Sequence, residues 1–152
     1  MYARQWPIQN ILLIDDDEDD FFFFSEAVKS VNAAINVSHI SDGNTDPAQL
    51  DALEPDLIFL DINMPKRNGI ECLRQIKQSR HKDTPVVIYS TTRNQLFIKQ
   101  AYETGAHLFL TKPFSFDKLV ASLRSIIQLN WTEPAKITST YYSDGRYQAF
   151  GT

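Results

Sequence analysis

Short unbroken apolar runs recur along the chain, and the stretches between them repeat their apolar positions every third or fourth residue. Ile11-Leu12-Leu13-Ile14, Leu57-Ile58-Phe59-Leu60 and Pro85-Val86-Val87-Ile88-Tyr89 have no polar residue on either face. Such runs predict strands buried on both sides, as in a parallel sheet. Ile35 to Ile40 and Leu108-Phe109-Leu110 predict two more strands. Phe24, Ala27, Val28 and Val31 form the stripe of an amphipathic helix, as do Ile70, Leu73 and Ile76, and again Leu119, Val120, Leu123, Ile126 and Ile127. Asp46-Pro47, following the turn signal Ser41-Asp42-Gly43-Asn44, predicts a cap and first position for a short helix through Leu53. A further helix is expected from about Arg93 to Thr104, stopped by Gly105, and Ser115 is the expected cap of the last one. Strands alternating with helices in this way give an α/β fold, a doubly wound five-stranded parallel sheet with helices on both faces.

The helix after the first strand contains Phe21-Phe22-Phe23-Phe24. With Phe24 on the buried stripe, Phe22 lies about 160° away at ~100° per residue, and is expected to be exposed beside Glu26 and Lys29. Cys72 is expected to pack as a small hydrophobe. From Thr132 onward the pattern changes, and Asp144-Gly145 between aromatic β-formers predicts a short hairpin. The expected division is therefore a domain over 1–131 and a C-terminal tail over 132–152, too short for an output domain of its own.

A length of 152 residues, with 43% hydrophobic and 22% charged, suits one globular domain. The net charge of -4 argues against a nucleic-acid partner, because phosphate contact needs a basic face. The N-terminus has no apolar leader core, and no stretch reaches the ~18 apolar residues of a membrane span. One cysteine cannot form a disulfide within the chain, which fits a reducing compartment, and the expected location is the cytoplasm.

The strand ends carry the chemistry. Ile14 runs into Asp15-Asp16-Asp17-Glu18-Asp19-Asp20, Leu60 into Asp61, Tyr89 into Ser90, and Leu110 into Thr111-Lys112. Open α/β sheets bind their ligands at the carboxyl ends of their strands. Asp19 and Asp20 are explained as acids in a first helical turn; Asp15 and Asp16, directly off a strand, are not. Three carboxylates at one edge call for a cation, and an all-oxygen set suits Mg²⁺. Asp61 is then the candidate nucleophile for an aspartyl phosphate, with Lys112 and Ser90 placed to neutralise and hydrogen-bond the phosphoryl group. Asp15, Asp17, Asp19 and Glu26 also match four positions of a calcium loop, but Asp20 stands where the loop needs glycine, and a strand precedes it.

Together, Ile14-Asp15-Asp16, Leu60-Asp61-Ile62-Asn63-Met64-Pro65 with Gly69, Tyr89-Ser90-Thr91, Gly105-Ala106 and Leu110-Thr111-Lys112-Pro113-Phe114 resemble the receiver domain of two-component response regulators. The resemblance covers about Asn10 to Asn130. It implies a flavodoxin-like sheet of strand order 2-1-3-4-5, with Asp15 and Asp16 holding Mg²⁺ and Asp61 as phosphoacceptor. It also implies the Asn63 backbone carbonyl as a further metal ligand, Ser90 as switch hydroxyl, Lys112 as phosphate-binding lysine and Phe109 at the aromatic switch position. The implied role is a stand-alone signalling switch rather than an enzyme. Its implied partners are a sensor histidine kinase or phosphotransfer protein, a downstream protein, and a second copy docking through the fourth helix, fifth strand and fifth helix. On phosphorylation Ser90 is expected to move inward and Phe109 to follow. A haloacid-dehalogenase-type phosphatase would need Asp-x-Asp-Gly-Thr after the first strand, and a flavodoxin a Ser/Thr/Gly-rich loop there; Asp15-Asp16-Asp17-Glu18 matches neither.

Overall fold

In a computed structural model the described residues are 8–41, 47–64, 67–143, 146–147 and 149–150. The expected turn at Asp42-Gly43-Asn44, the Asp46 cap, Pro65 and the Asp144-Gly145 pair lie outside them. Five strands, β1 (Asn10–Ile14), β2 (Asn36–Ile40), β3 (Leu57–Leu60), β4 (Val86–Ser90) and β5 (Leu108–Thr111), form one parallel sheet in the order β2-β1-β3-β4-β5. Six helices accompany it: α1 (Glu18–Val31), α2 (Pro47–Leu53), α3 (Gly69–Lys77), α4 (Gln95–Thr104), α5 (Phe116–Ile127) and α6 (Pro134–Thr140).

Alternation along the buried strands sorts side chains into two layers. Leu12, Ile14, Ile58, Leu60, Val86, Ile88 and Phe109 pack with residues of α2, α3 and α4. Their sequence neighbours Ile11, Leu13, Leu57, Phe59, Val87, Leu108 and Leu110 pack with α1 and α5. The α1 stripe holds as expected: Phe24, Ala27 and Val28 are fully buried, and Phe24 meets Phe59 edge to face at 4.9 Å. Val31 is only partly buried. Cys72 is fully buried in α3.

Capping explains the helix starts. Asp17 caps α1, accepting from the backbone N–H of Asp19 and Asp20, so the acidic run is both cap and first turn. Asn68 caps α3, Asn94 caps α4 and Ser115 caps α5. Gly105 ends α4 in the left-handed region at φ 118, where a side chain would be strained. Gly69 begins α3 instead of breaking the chain before it. A Cβ there would run into the Ile62 Cα and sit 2.8 Å from the Asp61 carbonyl oxygen, so this glycine lets α3 close over the end of β3. Between them, Asn63–Met64 and Arg67–Asn68 pair as a two-residue antiparallel ladder.

The segment over 132–152 is more structured than a tail with a hairpin. The hairpin's strands, Tyr142–Ser143 and Arg146–Tyr147, are present. Before them lies α6, which the Thr-rich composition did not predict. Glu133 makes no side-chain cap, and the helix is held instead by burial of Ile137 and by the Thr138 hydroxyl donating to the His107 carbonyl at 3.0 Å. Beyond the hairpin, Phe150 forms a parallel bridge with Leu110 of β5, and Ala149 is buried against the α4 side.

Candidate functional site

Ladder hydrogen bonds run one residue past the strand ends, and this aligns the site. The Asp15 N–H donates to the Ile40 carbonyl (3.1 Å), the Asp61 N–H to the Ile14 carbonyl (2.9 Å), and the Lys112 N–H to the Ser90 carbonyl (2.8 Å). Four separate segments are thereby fixed at one edge by backbone geometry. Asp15 (0% exposed), Asp61 (6%) and Ser90 (0%) are buried, and Asp16 is half-buried. One carboxylate oxygen from each of Asp15, Asp16 and Asp61 lies within 4.8 Å of the others, a spacing that suits one hard cation bridging all three. The donor set is entirely oxygen, so it fits Mg²⁺ better than a thiophilic or imidazole-seeking metal.

The Lys112 ammonium is the counter-charge. It donates to Asp15 Oδ2 (3.0 Å), Asp61 Oδ2 (3.1 Å) and Asp20 Oδ2 (2.7 Å), and sits 5.0 Å from the Tyr89 ring centroid, within cation–π range. Burial alone would lower the Lys112 pKa; the charges of Asp61, Asp20 and Asp15 outweigh it and raise it. Because the folded value lies above the unfolded one, this stabilisation is complete below the ordinary lysine value of 10.5 and fades only as pH rises through the folded value. Asp15 is shifted the unfavourable way for a carboxylate. Burial raises its pKa more than the Asp17 N–H and Lys112 lower it, and the Asp61 charge adds to the rise. Burial likewise raises the Tyr89 phenol.

Asp61 Oδ1 accepts from the Asn63 backbone N–H at 2.8 Å, while Oδ2 faces Lys112. The Asn63 side-chain amide donates to Ser90 Oγ at 3.0 Å, and the Thr92 N–H to the same oxygen at 3.3 Å. With both lone pairs engaged, the Ser90 hydroxyl hydrogen is left to donate. The end of β1 is steadied by His39, which stacks on Phe21 (4.3 Å) and whose Nε2 donates to the Asp15 carbonyl at 2.7 Å.

The structure thus brings together Asp15, Asp16, Asp61, Asn63, Ser90 and Lys112. Phe109 stands apart on the α4 side and is fully buried. Its N–H donates to the Tyr102 hydroxyl oxygen at 3.0 Å, and its carbonyl accepts from the Phe150 N–H at 2.5 Å. The Phe109 side chain is thus already buried while its backbone is bonded on both sides. Sequence reasoning passed over Asp20 as a first-turn acid and Tyr89 as a strand residue; both touch Lys112. For Asp20 the available signal was its place one turn into the helix that leaves the acidic pair. Phe22 is 68% exposed, as its helical phase required. Phe114, 91% exposed in the loop after Lys112, was not foreseen. Phe23 leans edge to face on Phe116 of α5 at 5.4 Å.

A family model described as the response regulator receiver domain matches residues 11–124. The transcriptional regulatory protein CpxR of Klebsiella pneumoniae is 34% identical over 132 residues, covering 86% of this chain and 55% of that protein. The chain spans about half the length of the curated relatives CpxR of Klebsiella and of Escherichia coli. Among solved structures, phosphorylated cyanobacterial phytochrome response regulator RcpA superposes with a TM-score of 0.70 at 31% identity, over 78% of this chain and 91% of that one. The Mn²⁺-bound response regulator Rcp1 gives 0.66 at 31% identity with the same coverage. Chemotaxis response regulator CheY4 of Vibrio cholerae gives 0.66 at 26%, over 78% and 98%.

Proposed function

The chain belongs to the response regulator receiver domain family, and on that premise we propose that it is a Mg²⁺-dependent phosphorylation switch whose phosphoacceptor is Asp61. The observation that carries this reading is the single ammonium of Lys112 shared between Asp15 and Asp61 beside a three-carboxylate cluster. Asp61 presents one oxygen to Lys112 and holds the other by the Asn63 N–H, so the carboxylate is oriented before a donor arrives. In the transfer, an Asp61 oxygen attacks phosphorus, the bond from phosphorus to the kinase histidine nitrogen breaks, and its electron pair returns to the imidazole. Lys112 neutralises charge on the moving phosphoryl group, and the Ser90 hydroxyl donates to one of its oxygens. A bound Mg²⁺ would add charge neutralisation at the same oxygens, held by Asp15, Asp16, Asp61 and the Asn63 carbonyl.

The receiver unit is assigned to 1–131, with 132–152 as an appended segment folded onto it. The phosphoryl source is a sensor histidine kinase or phosphotransfer protein, docking over exposed Phe22 and Phe114 beside the site. Among the described residues no helix is long and apolar enough to cross a membrane; a cytoplasmic setting, where such kinases present their phosphohistidine, is part of this proposal. Output passes to a downstream protein whose nature the relatives' names do not transfer.

The test is incubation with a small-molecule phosphodonor, with and without Mg²⁺, followed by intact mass. One phosphoryl group should be gained only with the metal, and Asp61→Asn should gain none. An Asp61→Asn variant that still takes the mass would sink the assignment.

A further inference from the structure

Edge strands expose unpaired backbone groups, which makes them acceptors for an added strand. β2 and β5 are the two edges of this sheet. The β5 edge is covered by the chain's own last described residues. Phe150 pairs with Leu110 and donates its N–H to the Phe109 carbonyl. Ala149 turns into the α4-side core and Phe150 packs on the α5 side, the alternation of a strand. One step back, Tyr147 stacks on Tyr102 of α4 at 4.7 Å and 15°. The Tyr102 hydroxyl meets the Phe109 N–H. Both backbone groups of Phe109 are therefore engaged by this covering, the carbonyl directly and the N–H through Tyr102.

Among the described residues one bridge joins this covering to β5, and a cleft of about 630 Å³ lies beside it, lined by Arg93, Thr111, Arg146 and Tyr147 among others. Two arginines across one gap repel each other, and the Thr111 hydroxyl in the wall is buried without a hydrogen-bond partner. A segment at the sheet edge opens at lower free energy than the central strands do.

We propose that the β5 edge and the flank of α4 form a strand-accepting surface whose occupant is the chain's own residues Tyr147, Ala149 and Phe150, and that phosphorylation at Asp61 loosens this occupant. The proposal rests on the receiver reading above. The connection is short: Ser90, which faces Asp61 through Asn63, pairs with Thr111 in the ladder, two residues beyond Phe109. Any shift of β4 against β5 moves the backbone to which the segment is bonded. Linkage then works both ways: if phosphorylation weakens the covering by some factor, removing the covering must strengthen binding of a phosphoryl mimic by the same factor. A second copy docking on this face has first to displace the segment.

The experiment uses the full chain. Amide exchange over 141–150 is followed with and without phosphodonor and Mg²⁺, with intact mass read on the same samples. Beryllofluoride affinity is measured in wild type, in Phe150→Pro, which removes the N–H donor, and in Tyr147→Ala as a second route to release. Exchange over 141–150 should quicken by about fivefold or more in the phosphorylated protein, and both variants should bind beryllofluoride tighter by a like factor. A protein that gains the phosphoryl mass but keeps its 141–150 exchange unchanged overturns the strap and leaves the receiver reading standing. So do variants with wild-type beryllofluoride affinity. A protein that gains no mass overturns both.

Discussion

Replacing Asp15 by Asn should make the metal-free protein more stable, an unusual outcome for a fully buried residue with two hydrogen-bonded oxygens. The sign follows from the burial of its charge, which the groups around it only partly offset. A carboxylate within 4.8 Å, as Asp61 is, repels Asp15 by ~3.5 kcal/mol or more at an effective dielectric near ~20. Its attraction to Lys112 at 3.0 Å is worth ~5.5 kcal/mol on the same scale. Burial of the charge is the largest cost and holds the Asp15 pKa above its ordinary value; the Asp61 charge adds to the rise, while the Asp17 N–H and Lys112 offset only part of it. Asparagine keeps an oxygen for the Asp17 N–H and removes the charge. The expected gain is about 1–2 kcal/mol, or a rise of about 2–8 °C in Tm for a domain of this size. Mg²⁺ should reverse the order. A ligand at a hundredfold excess over its Kd stabilises by about 2.7 kcal/mol, and Asp15→Asn lacks an anionic ligand oxygen with which to collect it. Thermal melts of both proteins in chelator and in Mg²⁺ read the four numbers. An Asp15→Asn protein that melts below wild type in chelator, or gains as much from Mg²⁺, refutes the reasoning.

Phe22→Ala should leave folding and small-donor phosphorylation unchanged while slowing transfer from the cognate kinase about tenfold or more, since truncating an aromatic hot spot costs ~2 kcal/mol or more; equal transfer rates would remove Phe22 from the docking surface. His107 should make the protein acid-sensitive. Burial, aided by the Lys77 charge, lowers its pKa to about 4, and its Nδ1 accepts the Val86 N–H at 3.2 Å, a bond that protonation breaks. The unfolded chain binds this proton more readily, so stability from this group is full above the ordinary histidine value of 6.5 and is lost as pH falls through it toward about 4, by up to about 3 kcal/mol. Asp15 acts in the opposite direction, so the comparison that isolates His107 is wild type against His107→Gln in urea melts from pH 7 to about 4; parallel curves would count against it.

The local pattern by itself determined the five strands, five of the helices and the edge at which the chemistry collects. Strands buried on both faces must be apolar throughout, so Ile11–Ile14 and Leu57–Leu60 stand out from any amphipathic helix. Helix starts were legible where a cap belongs to the same few residues, as at Ser115, and the stop at Gly105 because only a residue without Cβ takes φ 118 cheaply. Asp15, Asp61, Ser90 and Lys112 were legible because each directly ends an apolar run, and a parallel ladder brings such ends together whatever lies between them. Tertiary structure alone decided the rest. Asp20 reaches Lys112 only because α1 leaves β1 at a particular angle, and Tyr89 lies near it only because β4 and β5 are neighbours. α6 has a poor helical composition and no side-chain cap, so its fold comes from burying Ile137 on a surface built by other segments. Phe109 reads as a strand residue, yet Phe150, far along the chain, and Tyr102 of α4 hold both of its backbone groups. Contacts between segments this far apart leave no periodic trace, because neither partner's neighbours need be of any particular type for one N–H to find one carbonyl.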